Sequence, residues 1–157
     1  MIAVGTFLTG YGTAGYDHEG YAAHVLDDGS LTGTHSADTR PRMVGAVVAA
    51  CDCGWTGATR YPRRTEFDED AEELALQEWE RSHARPVLER AQRGELWRLE
   101  AQLRELATVA QQLCGADRPP LRAGQLSRVV DALEAATALA RRLQDQAHEQ
   151  AERKGDA

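Results

Sequence analysis

Cys51 and Cys53 flank a single aspartate and are followed at once by Gly54. Two thiols on such a tight corner converge on one point, which is what a soft divalent ion such as Zn²⁺ requires. The spacing is shorter than the usual two to four intervening residues, so the corner is zinc-knuckle-like without matching the common pattern. Path length nominates His83 as the third ligand. A strand from Trp55 to Tyr61 leaves the corner for roughly 20 Å at ~3.3 Å per residue. A helix from about Asp68 to His83 returns over a similar distance at ~1.5 Å per residue. His35, at a strand end, is expected to be the fourth ligand, with His24 in reserve and the loop residue His18 ranked last. Two thiolates and two imidazoles leave no open coordination position, the mark of a structural site. A hydrolytic site would instead have three protein ligands, a bound water and a general base such as Asp52 or Glu80. The competing reading makes the cysteines small buried hydrophobes and His83 a core residue.

The elements that would hold this corner follow from residue patterning. Residues 1–20 carry Gly5, Gly10, Gly12, Gly15 and Gly20. No lysine and no helix pattern follow them, so they read as loop or irregular edge strand and not as a phosphate loop. Short alternating runs at Tyr21 to Leu26 and Leu31 to His35 surround Asp28-Gly29, a hairpin signal. A two-residue turn there would set His24 opposite Gly33, with His35 diagonally beyond on the same face. Val44 to Cys51 is the best central strand, and Thr56 to Tyr61 reads as its return up to Pro62. The sum is a three- or four-stranded antiparallel sheet.

Thr65 can cap a helix whose inner face carries Ala71, Ala75, Trp79 and His83 at spacings of four. Pro86 biases Arg85 out of the helical region and is expected to end that helix near Ala84. Leu96, Leu99, Leu103, Leu106, Ala110 and Leu113 then repeat at three and four, as do Leu126, Val129, Leu133, Ala136, Ala140, Leu143 and Ala147. Between them the stretch from Cys114-Gly115 to Pro119-Pro120 is a stop and turn. Two such seams form an antiparallel helical hairpin, and its spare apolar surface points to a homodimer or a protein partner. Trp55, Trp79 and Trp97 are expected to be packing residues.

The 157-residue chain has a formal net charge of -7, which does not favour nucleic acid as a default partner. Residues 66–93 hold nine acids against four arginines, so most of the acidity sits on the first helix. Three cysteines, an odd set, and an N-terminus without a basic lead read as reduced thiols in a cytoplasmic protein. No run approaches a membrane span. Arg40, Arg42, Arg60, Arg63 and Arg64 are available to form a basic edge near Tyr61 and Trp55. The stretch from Leu103 to Leu113 and that from Leu121 to Glu134 resemble in outline the helical core of a winged-helix repressor. There is no middle helix, however, and the chain continues as helix where a wing should follow.

The fold expected is therefore α+β: a small antiparallel sheet with a CxC corner and a packed acidic helix over residues 1–85, then a helical hairpin over 86–157. The expected function is that of a non-enzymatic, zinc-stapled interaction or adaptor protein. A DNA-associated regulator using the arginine edge and a zinc-dependent hydrolase are the alternatives.

Overall fold

The computed structural model describes residues 5–34, 36–64, 69–114 and 123–155. The chain divides into two compact units, Met1–Glu89 and Arg90–Ala157.

The first unit is built on a four-stranded antiparallel sheet of order β2-β1-β3-β4. Its strands are β1 (Gly20–Leu26), β2 (Leu31–Thr32), β3 (Met43–Cys51) and β4 (Tyr61–Pro62). The long pair β1 and β3 runs from Gly20 opposite Cys51 to Leu26 opposite Met43. The alternation of β3 sends Val47, Ala49 and Cys51 to the face covered by helix α1 (Glu69–Trp79), where they meet Ala22, Ala71, Ala75, Trp79 and Leu88. Ala23, Val25, Val48 and Ala50 form a smaller cluster on the other face. Small residues at the α1 contact let the helix approach closely. At Gly20 a Cβ would come within 2.2 Å of the Trp79 ring, so only glycine fits there.

The first hairpin differs from expectation by one residue. His24 pairs with Thr32, not Gly33. The loop has three residues, Asp27 to Gly29, closed by Gly29 at φ +82° and by Leu26 N–H to Ser30 C=O at 2.9 Å. Asp28 supports this longer loop by accepting from the Ser30 N–H at 2.9 Å, and Arg42 bridges Asp27 and Asp28. The return after the cysteine corner is also more irregular than the pattern suggests. Thr56 makes only an isolated bridge to Ala50 before the two-residue β4.

Pro86 does not end the first helix. A π-helical turn, Glu80–Ala84, joins α1 directly to α2 (Arg85–Cys114). Arg85 is helical at φ -58°, ψ -51°, and its N–H donates to the Glu80 carbonyl, five residues back. Proline clashes with the carbonyl four residues before it in a regular helix. The wider π turn accommodates it, and the extra residue turns both His83 and Ala84 inward. The expected cap Thr65 and the expected helix start at Asp68 lie outside the described residues, as do 115–122.

In the second unit α2 and α3 (Ala123–Gly155) are antiparallel. Gln92 donates to Gln146 at 3.3 Å, and Gln150 donates back to Gln92 at 3.4 Å. The covered positions are 92, 95, 99, 102, 106 and 109 on α2, and 129, 132, 136, 139, 143, 146 and 150 on α3. The apolar stripes seen in the sequence are thus two columns each. Leu99, Leu106, Ala136 and Leu143 face the partner helix, whereas Leu96, Leu103, Leu126 and Leu133 are left exposed. Gln92, Glu95 and Gln146 lie in the inward column, where Gln146 also donates to Glu95 at 3.4 Å. Trp97 is not a packing residue, since it is 70 % exposed. Helix α3 continues unbroken for 33 residues, with no strand after it among the described residues. No described helix is long and apolar enough to cross a membrane.

Candidate metal centre

The Cys51 corner repeats the geometry of the first hairpin loop. Gly54 N–H donates to Cys51 C=O at 2.9 Å and Cys51 N–H donates to Trp55 C=O at 2.9 Å. This closes a three-residue loop, Asp52 to Gly54, with Gly54 at φ +92°. Such a turn folds the backbone tightly enough for a single intervening residue to bring two thiols together. It is tied to the chain before β1 by Asp52 N–H to Glu19 C=O at 3.0 Å.

Four side chains meet at this point. The ligand atoms of His18, Cys51, Cys53 and His83 all lie within 4.8 Å of one another. Cys53 Sγ is 3.1 Å from His83 Nε2, and Cys51 Sγ is 3.8 Å from His18 Nδ1. With Zn–S of ~2.3 Å and Zn–N of ~2.0 Å, the edges of a tetrahedron are roughly 3.3–3.8 Å. The donor set matches those edges after small rotamer adjustments, so the cluster can hold a metal ion.

The sheet and the π turn place these residues. Gly20 lies opposite Cys51, so the segment entering β1 passes beside the cysteine corner and brings His18 to it. Glu78, one residue before Trp79, is buried and accepts from the Thr59 hydroxyl at 3.2 Å, which ties α1 to the chain leaving the corner. The Tyr61 hydroxyl has its pKa raised by burial and by the same carboxylate. This network fixes the height of α1, and the π turn then delivers the His83 ring. Trp55 stacks on one face of that ring and His18 meets it edge-on, with centroids 4.7 Å and 5.2 Å away.

The electrostatics favour the ligand form of the imidazole. Burial, and then the neighbouring His18, hold the His83 pKa below its ordinary value, leaving the ring neutral and able to donate a lone pair. Burial pushes the Cys51 thiol up, while the backbone N–H of Cys53 and the indole of Trp79 act in the opposite direction. The Trp79 indole nitrogen is buried without a hydrogen-bond partner among the described residues. It lies near enough to the Cys51 sulfur to lower the thiol's pKa, against the larger upward effect of burial.

The structure brings Cys51, Cys53 and His83 together, as their spacing predicts. His35 lies outside the described residues. His24 is far along β1, buried, and its Nδ1 is 3.0 Å from Arg63 Nη1. The residue that completes the cluster is His18, ranked last as a loop histidine. One signal was available: if β1 and β3 are antiparallel neighbours, the start of β1 lies beside the end of β3, and His18 is two residues before that start. Neither a family model, a curated protein nor a solved structure matches this chain.

Proposed function

We propose that this chain is a non-enzymatic interaction protein whose first unit is stapled by one structural zinc ion, and whose helical hairpin serves self-association or partner binding. The observation carrying this reading is the four-donor cluster of His18, Cys51, Cys53 and His83. Two sulfurs and two nitrogens in tetrahedral reach suit Zn²⁺ over harder ions, which prefer oxygen. Four protein ligands leave no position for a reacting water, which favours a structural over a hydrolytic role. The sheet has two strands of only two residues, so a cross-link among the β1 entry, the β3 corner and the π turn after α1 adds rigidity that its own core lacks.

Zinc per chain, measured by plasma mass spectrometry on protein purified without a histidine tag, tests this. One equivalent is expected, with loss in Cys51→Ser/Cys53→Ser. Absence of any metal from the unsubstituted protein removes the staple. The nucleic-acid alternative has less behind it, because Arg42 is engaged by Asp27 and Asp28 and Arg63 lies against His24.

A further inference from the structure

We infer that the hairpin pairs with a second copy of this chain through one defined flank. This deepens the self-association reading above and does not depend on the metal. The covered residues of α2 and α3 occupy two alternating positions of a seven-residue repeat. In an antiparallel pair the positions just after the second of these flank the same side on both helices. On that side stand Leu96, Leu103 and Ala110 of α2, and Leu126, Leu133 and Ala140 of α3, with Ala147 continuing the row. The four leucines are between 44 % and 53 % exposed. The opposite flank carries Arg98, Glu105, Arg128 and Arg142. One side of the hairpin is therefore apolar along its length and the other is charged.

Two features select a second copy as the occupant. The first is size. From Arg90 to Cys114 the hairpin extends about 37 Å, and two helices 8–10 Å apart present a face roughly 18–20 Å wide. The resulting area, about 700 Å², is close to the ~800 Å² per partner of a standard stable interface. The second is self-complementarity. Gln92 bonds both Gln146 and Gln150, and this register sets Leu96 and Leu103 beside Ala147 and Ala140, and Leu133 and Leu126 beside Ala110. Large residues thus lie on α2 in one half of the flank and on α3 in the other. A two-fold rotation about the long axis of the hairpin lays α2 over the α3 helix of a second copy. Leu96 and Leu103 then meet alanines, and Leu133 meets the alanine on α2. Such alternation of large and small residues fills a four-helix core without voids.

Analytical ultracentrifugation of the intact, metal-analysed chain tests the inference. The expected species at micromolar concentration is twice the 17.2 kDa chain mass. Leu103→Glu/Leu133→Glu should weaken the dimer at least about a hundredfold, since each carboxylate would be buried without a partner. Ala140→Glu, an exposed position in mid-helix, should do the same with the circular-dichroism helix signal intact. Arg98→Ala/Arg142→Ala on the charged flank should leave the dimer unchanged. A monomeric unsubstituted protein, or a dimer indifferent to Ala140→Glu, overturns the inference. Zinc content on the same samples keeps the two readings apart: a metal-loaded monomer removes only the pairing, and a metal-free dimer removes only the staple.

Discussion

The indole of Trp55 lies flat on the imidazole of His83, with ring centroids 4.7 Å apart and planes 7° from parallel. Trp55 leaves the cysteine corner directly, so the same turn that places the thiols also supplies the surface that orients the candidate ligand His83. Trp55→Leu keeps an apolar side chain but removes the stack. It should lower metal affinity by about 10–100-fold, the usual effect of losing a residue that orients a ligand. Competition against a chromophoric chelator measures this, and an unchanged affinity would show that the stack is incidental.

Removing the metal should loosen one unit and spare the other. The cluster joins the β1 entry, the β3 end and the π turn after α1, all within residues 1–89. At a thousandfold excess of metal over its dissociation constant the stabilisation is about 4 kcal/mol. After chelation, amide exchange should speed up around His18, Cys51 to Trp55 and His83, while the facing positions of α2 and α3 in the second unit keep their protection. Equal loss in both units would contradict a local staple.

Gly20 and Gly94 should respond to alanine in opposite directions. A Cβ at Gly20 runs into the Trp79 ring, whereas nothing lies within 4 Å of one at Gly94. Overpacking of this kind costs about 1–3 kcal/mol, and the 2.2 Å approach puts Gly20→Ala at the upper end. Gly94→Ala sits in a helix interior and should stabilise by about 0.5–1 kcal/mol. Urea midpoints read both. A neutral Gly20→Ala would mean that α1 does not pack on β1 as closely as described.

Asp28 should stay ionised well into acid. Its pKa is lowered from 3.8 to about 2, first by the Ser30 hydroxyl and N–H and then by Arg42. A depressed folded-state value means that the carboxylate favours the folded state above its ordinary pKa. That contribution is lost as pH falls through about 2. A carbon-detected carboxyl titration should show this midpoint, and Ser30→Ala should move it back toward 3.8. An ordinary midpoint in the unsubstituted protein would rule out the Asp28 to Ser30 geometry.

Residue order alone carried the local decisions. Cys51 to Gly54 dictates a corner, because two thiols and a glycine able to take positive φ act within four residues. The valine run of β3 and the α1 face of Ala71, Ala75, Trp79 and His83 follow from periods of two and 3.6. The lengths of a strand and a helix bring the chain at His83 back to the level of the cysteines, and the π turn Glu80–Ala84 then aims its ring.

Three-dimensional packing decided the rest. His18 joins the site because β1 and β3 pair at Gly20 and Cys51, a register set by contacts across thirty residues and not by any motif near the histidine. Pro86 passes through a helix because a π turn absorbs its ring, and that depends on His83 and Ala84 both being drawn into the core. Leucines spaced by three and four mark an apolar face without saying which column turns inward. A helix pair seats only two positions of each seven-residue repeat between its helices; here those positions hold Leu99, Leu106, Ala136, Leu139 and Leu143, and Leu96, Leu103, Leu126 and Leu133 stay on the surface.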